Sequence, residues 1–236
     1  MSTLYIVATP IGNLQDISSR AIETLKGVDL ILAEDTRVTK KLLRHYNITT
    51  PLISYHQHSK LEKVDYILEL LSQGKNIALA SDAGTPGISD PGNKLVEKAV
   101  ECLNDKAKIV PIPGASALAA AASVSGFPMD KFLFLGFPPA KRKRQKFFQE
   151  VSASKYPVIL YESSHRILKT LQELNSMHNT QHTIHNTKVV VCQELTKMFE
   201  KTYRGTIPEV LDKMKDKDLR GEFVIIVNNQ KLKRNE

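Results

Sequence analysis

Short apolar runs without polar alternation recur through the first half of the chain, and a helical pattern follows each. They are Thr3 to Ala8, Val28 to Ala33, Pro51 to Ser54, Asn76 to Ala80 and Lys108 to Pro111. A strand apolar on both sides has to be buried on both faces. A mostly parallel sheet covered by helices is the architecture that buries it. The helical stretches agree. Ser18 or Ser19 is placed to cap a helix with Ala21, Ile22 and Leu25 facing inward, which Gly27 ends. Thr36 is placed to cap the next, which carries Leu42 and Leu43. Leu61, Val64, Ile67, Leu68 and Leu71 mark one face of a third, and Asn93 to Leu103 reads as a fourth. The expected fold class is α/β.

An alanine-rich helix from Ser116 to Ser125 leads to Gly126-Phe-Pro, and a second series starts there. The expected organisation is two α/β domains, residues 1–117 and 118–236. The second has strands at Phe132 to Leu135, Pro157 to Tyr161, Lys188 to Cys192 and Glu222 to Val227, with an extended edge segment from Phe199 to Arg204. Ile167, Leu168, Leu171 and Leu174 mark a helix, and Thr206, Pro208 and Glu209 fit a helix start with Pro in its first turn. Residues 175–187 read as a polar loop or frayed helix end, and the tail from Lys231 to Glu236 as loose.

The loops at the strand ends have unusual compositions. Ser81-Asp-Ala-Gly-Thr-Pro-Gly-Ile-Ser-Asp-Pro-Gly92 is the densest in Gly and Pro. Glycine lets backbone approach a ligand closely, and proline fixes the course of the loop. Thr9-Pro-Ile-Gly-Asn13, Glu34-Asp-Thr-Arg37 and Pro113-Gly-Ala-Ser-Ala117 end other strands of the same series. Loops at the carboxyl ends of strands form the ligand crevice of an open α/β sheet. No Walker-type loop and no Gly-x-Gly-x-x-Gly after the first strand is present. Pro10 and Pro113 also lack the amide hydrogens an anion cradle would use. The loops suit a ligand with a neutral or cationic part better than a triphosphate, and S-adenosylmethionine fits that description.

Charge divides unevenly. Residues 1–117 carry 13 Lys+Arg against 13 Asp+Glu, whereas the remainder carries 20 against 12, so the second half holds the whole net +8. That asymmetry favours a polyanionic partner gripped by the second half over a uniformly basic surface. Lys141-Arg-Lys-Arg-Gln-Lys146 is too dense to bury and reads as a solvated face, with Phe147 and Phe148 behind it as core anchors of a helix. Cys102 and Cys192 have neither metal-type spacing nor a disulfide framework, and no apolar run is long enough to span a bilayer. A reduced, cytoplasmic protein is the expectation. His45, His178, His182 and His185 show no metal-ligand pattern, and no metal is expected.

Eight ordered motifs carry a family resemblance. They are Thr9-Pro-Ile-Gly-Asn13, Ala33-Glu-Asp-Thr-Arg37, Ser54-Tyr-His-Gln-His58, the 81–92 loop, Pro113-Gly-Ala-Ser-Ala117, Phe134-Leu-Gly-Phe137, Tyr161-Glu-Ser-Ser-His-Arg166 and Glu194-Leu-Thr-Lys197. Together they resemble the RsmI group of the tetrapyrrole-methylase superfamily, the 16S ribosomal RNA (cytidine-2′-O)-methyltransferases, from Leu4 to about Val227. Ser164 stands where that group often has Pro. The resemblance implies two α/β domains with the cofactor cleft between them, and a homodimer. It also implies methyl transfer from S-adenosylmethionine to a cytidine ribose in the decoding region of the small ribosomal subunit. Carried over by position, it places the cofactor against Pro10, Asp82, Thr85, Ser116, Ala117 and Tyr161.

The chemistry needs orientation and a hydroxyl made nucleophilic. Glu194 and Lys197, three apart after a strand, are the expected pair at the ribose. Asp35 and Arg37 are expected to hold substrate or loop geometry. A salt bridge that only locks a loop is the competing reading for each pair, and His56 and His165 are alternative bases. Lys141, Arg142, Lys143, Arg144, Lys146 and Arg166 are the expected RNA-binding cations. Two other functions fit part of the pattern: a small-molecule tetrapyrrole methyltransferase, and a non-catalytic RNA-binding assembly factor.

Overall fold

A computed structural model describes residues 1–56, 59, 61–180, 187–215 and 217–229. The chain forms two compact units, Met1–Ser116 and Ala117–Glu236.

The first unit runs β1 (Ser2–Val7), α1 (Ser19–Gly27), β2 (Leu30–Ala33), α2 (Thr36–His45), β3 (Leu52–Ser54), α3 (Leu61–Ser72), β4 (Ile77–Ala80), α4 (Asn93–Leu103) and β5 (Ala107–Ile112). Its strands lie in the order β3-β2-β4-β1-β5 and all pair in parallel, as continuous apolar runs require. Alternate residues serve opposite faces. Leu4, Ile77 and Leu79 pack with Val64, Ile67 and Leu95 of α3 and α4. Val7, Ala78 and Ala80 pack with Ala21, Leu25 and Leu43 of α1 and α2. Ser18 caps α1, its side chain accepting from the Ala21 amide at 3.1 Å, a contact of about 1 kcal/mol. The α2 cap is Asp35 rather than Thr36: the carboxylate accepts from the Arg37 amide at 2.8 Å, and Thr36 becomes the first helical residue. Leu61 departs from the expected buried face and lies 60% exposed, because it opens α3 ahead of the buried turns.

The second unit runs α5 (Ala117–Val124), β6 (Leu133–Gly136), α6 (Arg144–Ala153), β7 (Val158–Ser163), α7 (Ile167–Thr180), β8 (Lys188–Gln193), β9 (Lys201–Thr206), α8 (Ile207–Met214) and β10 (Glu222–Asn228). The parallel pattern fails here. In the order β6-β7-β10-β8-β9 only β6 and β7 are parallel; β10 runs antiparallel to both neighbours, and β9 to β8. The cause is connection length. The short segment from Glu194 to Glu200 carries no crossover helix, so β9 has to return as a hairpin. Thr206 and Glu209 form a capping box at α8 with Pro208 in the first turn. Phe148 is fully buried with Leu160, Leu171 and Val191, and Phe147 packs against that cluster. The expectations for His58, His182, His185 and the tail 231–236 fall outside the described residues. No helix among the described residues is long and apolar enough to cross a membrane.

Candidate functional site

In the first unit β1 and β4 are neighbours, but the chains leaving their carboxyl ends part. β1 leads to α1 on one face of the sheet, and β4 leads through the 81–92 loop to α4 on the other. A topological switch of this kind opens a crevice at the strand ends. Pro10, Asp82 and Thr85 lie on the loops at this switch, and Ser116 follows β5 on the other side of β1.

The loops are tied to one another by backbone. The Thr9 amide donates to the Gly84 carbonyl at 2.9 Å, and the Gly84 amide donates back at 3.0 Å. The Thr9 hydroxyl donates to the Ser81 carbonyl at 2.9 Å, and Thr85 Oγ1 donates to the Ala115 carbonyl at 3.3 Å. Gly114 passes so close to β1 that a Cβ there would sit 3.0 Å from Ala8 Cβ. These contacts spend hydroxyls and amides on loop geometry and leave carboxylates as the distinctive chemistry. Asp82 accepts from the Asp35 amide at 2.9 Å, and Ser81 Oγ donates to Asp90 at 2.7 Å. Burial, then the charges of Asp82, Asp90 and Asp35, push the Glu34 carboxyl up. Burial pushes Asp82 up as well, against the Asp35 amide and with the Asp35 charge. Acids crowded in this way favour a cation beside them. These acceptor carboxylates therefore fit the amino or sulfonium end of S-adenosylmethionine and are unsuited to a phosphate. Ala117 and Tyr161 belong to the second unit, where the Tyr161 ring packs edge-on against Phe134 and Phe137.

Asp35 and Arg37 form a closed pair. The guanidinium donates to the carboxylate from Nε at 3.0 Å and from Nη2 at 2.7 Å, and Arg37 is otherwise exposed. The Arg37 side chain and amide hold Asp35 down to about 2, so this carboxylate is a very weak base that caps its own helix.

Glu194 and Lys197 are arranged differently. Lys197 Nζ donates at 2.8 Å to Glu194 Oε1 and at 2.8 Å to Glu222 Oε2. The Glu222 amide also donates to Glu194 Oε1, at 3.0 Å. Both contacts fall on Oε1; among the described residues nothing donates to Oε2. Burial would raise Glu194, but the Lys197 ammonium and the Glu222 amide outweigh it and hold the carboxyl low. Burial would lower Lys197, but its two carboxylate partners outweigh that and hold it high. The pair is fully ionised at neutral pH. The loop that carries it is tightly wound: Glu194 has φ 52° and Thr196 φ 66°, left-handed values that are rare for a β-branched residue and concentrate at functional sites. Gly221, at φ 99°, lies directly on the Glu194 carboxyl, and any Cβ there would overlap it. A cavity of 370 Å³ opens beside the pair, lined by Gln193, Glu194, Phe199, Lys201, Asp218 and Arg220. That volume falls within the ~300–1,000 Å³ typical of small-ligand pockets.

The basic cluster splits. Lys141, Arg142, Lys143 and Lys146 are exposed, as a solvated face requires. Arg144 is not part of that face: only 8% of it is accessible. It donates to Glu173 at 2.7 Å, to Thr170 Oγ1 at 2.7 Å and to the Pro139 carbonyl at 2.9 Å. With all its directions occupied, it is a structural anchor rather than a phosphate contact. Lys143, at φ 64°, makes the turn that sends Arg144 inward. Arg166 is also engaged, with Glu162 at 2.7 Å and the Pro138 carbonyl at 3.0 Å. His56 and His165 are exposed. The sequence reading places Glu222 only at the start of the last strand, and its role as the second partner of Lys197 is missing from it. Pairing the last strand antiparallel to Lys188–Gln193 would have found it, since Phe223 sits opposite Gln193 and puts Glu222 beside Glu194.

Residues 3–211 match the family model described as tetrapyrrole (corrin/porphyrin) methylases. The chain is 46% identical over 228 residues to a ribosomal RNA small subunit methyltransferase I of Synechocystis sp., covering 96% of this chain and 79% of the relative. It is 44% identical to the protein of the same name from Halalkalibacterium halodurans, covering 99% and 79%. Among solved structures, the cobalamin biosynthetic enzyme cobalt precorrin-4 methyltransferase CbiF superposes with a TM-score of 0.65. It is 20% identical, with 96% of this chain and 94% of that one covered, a likeness of fold.

Proposed function

The chain belongs to the tetrapyrrole (corrin/porphyrin) methylase family, and from that premise we propose that it methylates a ribose 2′-hydroxyl of a cytidine in small-subunit ribosomal RNA, using S-adenosylmethionine. The observation that carries the rRNA assignment is the 46% identity over nearly the whole chain to a relative named for that activity. Bound S-adenosylmethionine supplies a methyl group already activated by the positive sulfur to which it is attached.

The chain's own residues bind, orient and handle one proton. Asp82, with Glu34 and Asp90 behind it, offers negative charge to the cationic part of the cofactor, while Pro10, Thr85 and Ser116 shape the loops around it. Glu194 Oε2 is the open acceptor for the ribose hydroxyl. A methyl group supplied to the ribose oxygen would make the hydroxyl proton strongly acidic. A weak carboxylate base is then sufficient, and the proton passes to Glu194 and on to water. Lys197 holds that carboxylate in position and keeps it ionised. Lys141, Arg142, Lys143 and Lys146 meet RNA phosphates, which makes binding salt-dependent. Work on ribosomal subunits implies the cytoplasm, and a homodimer accords with the family.

Labelled S-adenosylmethionine incubated with small subunits lacking the modification tests the reading. Label on one cytidine ribose is expected; label on tetrapyrroles and none on subunits would overturn it. Asp82→Asn is expected to weaken S-adenosylmethionine binding about tenfold to a hundredfold, as loss of a charge-assisted contact does. Equilibrium dialysis measures this, and unchanged affinity would remove Asp82 from the cofactor site.

A further inference from the structure

Phe199 and Met198 are 70% and 90% exposed in a loop whose backbone is otherwise tightly constrained. The Lys197 amide donates to the Glu194 carbonyl at 3.0 Å, the Glu200 amide to the Lys197 carbonyl at 3.1 Å, and the Thr196 amide to the Glu200 carboxylate at 2.5 Å. The ring is therefore presented by a wound, hydrogen-bonded turn, not by a slack one. It lines the 370 Å³ cavity together with Glu194, and the lining also includes Arg220 and Lys201. Asp218 grips the Arg220 guanidinium from Nε at 3.0 Å and from Nη2 at 2.6 Å, and Gln193 pins that turn through the carbonyls of Asp218 and Arg220, both at 2.9 Å. The guanidinium is paired with Asp218 through two nitrogens while 90% of the side chain stays accessible.

An exposed aromatic ring on a constrained turn, a carboxylate-paired guanidinium and a nearby ammonium form the chemistry that receives an unstacked nucleobase with its phosphate. Building on the rRNA reading above, we infer that this cavity takes a single unstacked nucleotide of the RNA. Phe199 stacks on its base, Lys201 lies near its phosphate, and Glu194 faces its ribose. Single-stranded recognition suits the site because a paired base offers no face to stack on. A second copy of the chain covering Met198 and Phe199 is the competing occupant. The Arg220 and Lys201 cations beside the ring favour RNA over that apolar contact.

Kinetics on unmodified small subunits test this with Phe199→Ala, Phe199→Leu and Phe199→Trp. Stacking predicts that Phe199→Ala raises KM for subunits about tenfold to a hundredfold. S-adenosylmethionine affinity and sedimentation should be unchanged. Phe199→Trp should restore KM and Phe199→Leu should not, because leucine supplies apolar area without a π-face. Rescue by leucine equal to that by tryptophan, or a KM unmoved by alanine, would overturn the stacking role. A wild-type chain that binds S-adenosylmethionine yet leaves subunits unmethylated would overturn the rRNA reading and this inference with it. A Phe199→Ala chain that sediments at half the mass of the wild type would assign the patch to self-association instead.

Discussion

Glu194→Ala is expected to lower single-turnover methylation of small subunits by about a hundredfold to ten-thousandfold, the usual span for a lost general base. Binding of S-adenosylmethionine should be unaffected, since its proposed contacts lie elsewhere. The variant removes the Glu194 oxygen that has no donor among the described residues, both contacts of that carboxylate falling on its other oxygen. Lys197→Ala should cost less, because Glu194 keeps the Glu222 amide. Its signature would be a shifted acid limb of the pH–rate profile. Glu194 is held below its ordinary value, so the ionised form persists as pH falls through 4.5 and is lost only below that. Without Lys197 the limb should move upward. Lys197 is held above 10.5, so the ion pair is complete below that pH and fails only as pH rises through the raised value. The wild-type profile should thus be flat across neutrality. Full activity in both variants would reduce the pair to a loop lock.

Glu162→Ala is expected to destabilise the second unit by about 3–5 kcal/mol, the cost of stripping one partner from a buried charge network. Glu162 is 1% exposed and receives the Thr170 hydroxyl at 2.6 Å, the Ser163 amide at 2.8 Å and Arg166 at 2.7 Å. Thr170 passes the chain on to Arg144, and the two arginines between them hold the Pro138 and Pro139 carbonyls. Denaturant unfolding followed by circular dichroism should show a lower midpoint with an unchanged slope. A midpoint within the scatter of surface variants would mean that water replaces the carboxylate. The same lesion frees the loop before α6, so affinity for RNA should fall although no exposed cation has been removed.

These two networks mark where sequence reading stops. The strand ends carrying Pro10, Asp82 and Ser116 are legible because continuous apolar runs fix strand position, and parallel connection fixes which loops share an edge. Direction in the second sheet is not legible from Lys188–Cys192 or Glu222–Val227, since such runs look the same paired either way. Missing that direction hid Glu222 from Lys197. Arg144 was grouped with its exposed neighbours because a basic run defaults to solvent. Its inward turn depends on Thr170 and Glu173, far along the chain, and on the left-handed backbone of Lys143. Thr36 is the cap the sequence suggests, and the Asp35 carboxylate, accepting from the Arg37 amide, moves the cap one residue earlier.

Gly221 leaves no volume beside the Glu194 carboxyl. Position 221 is therefore held to glycine twice over, once by that carboxyl and once by its own left-handed backbone. Shortening 194 lifts the first constraint and leaves the second, and 194 cannot be shortened while the reaction depends on it. A lineage that abandons the activity is thus freed at 194 and still favours glycine at 221.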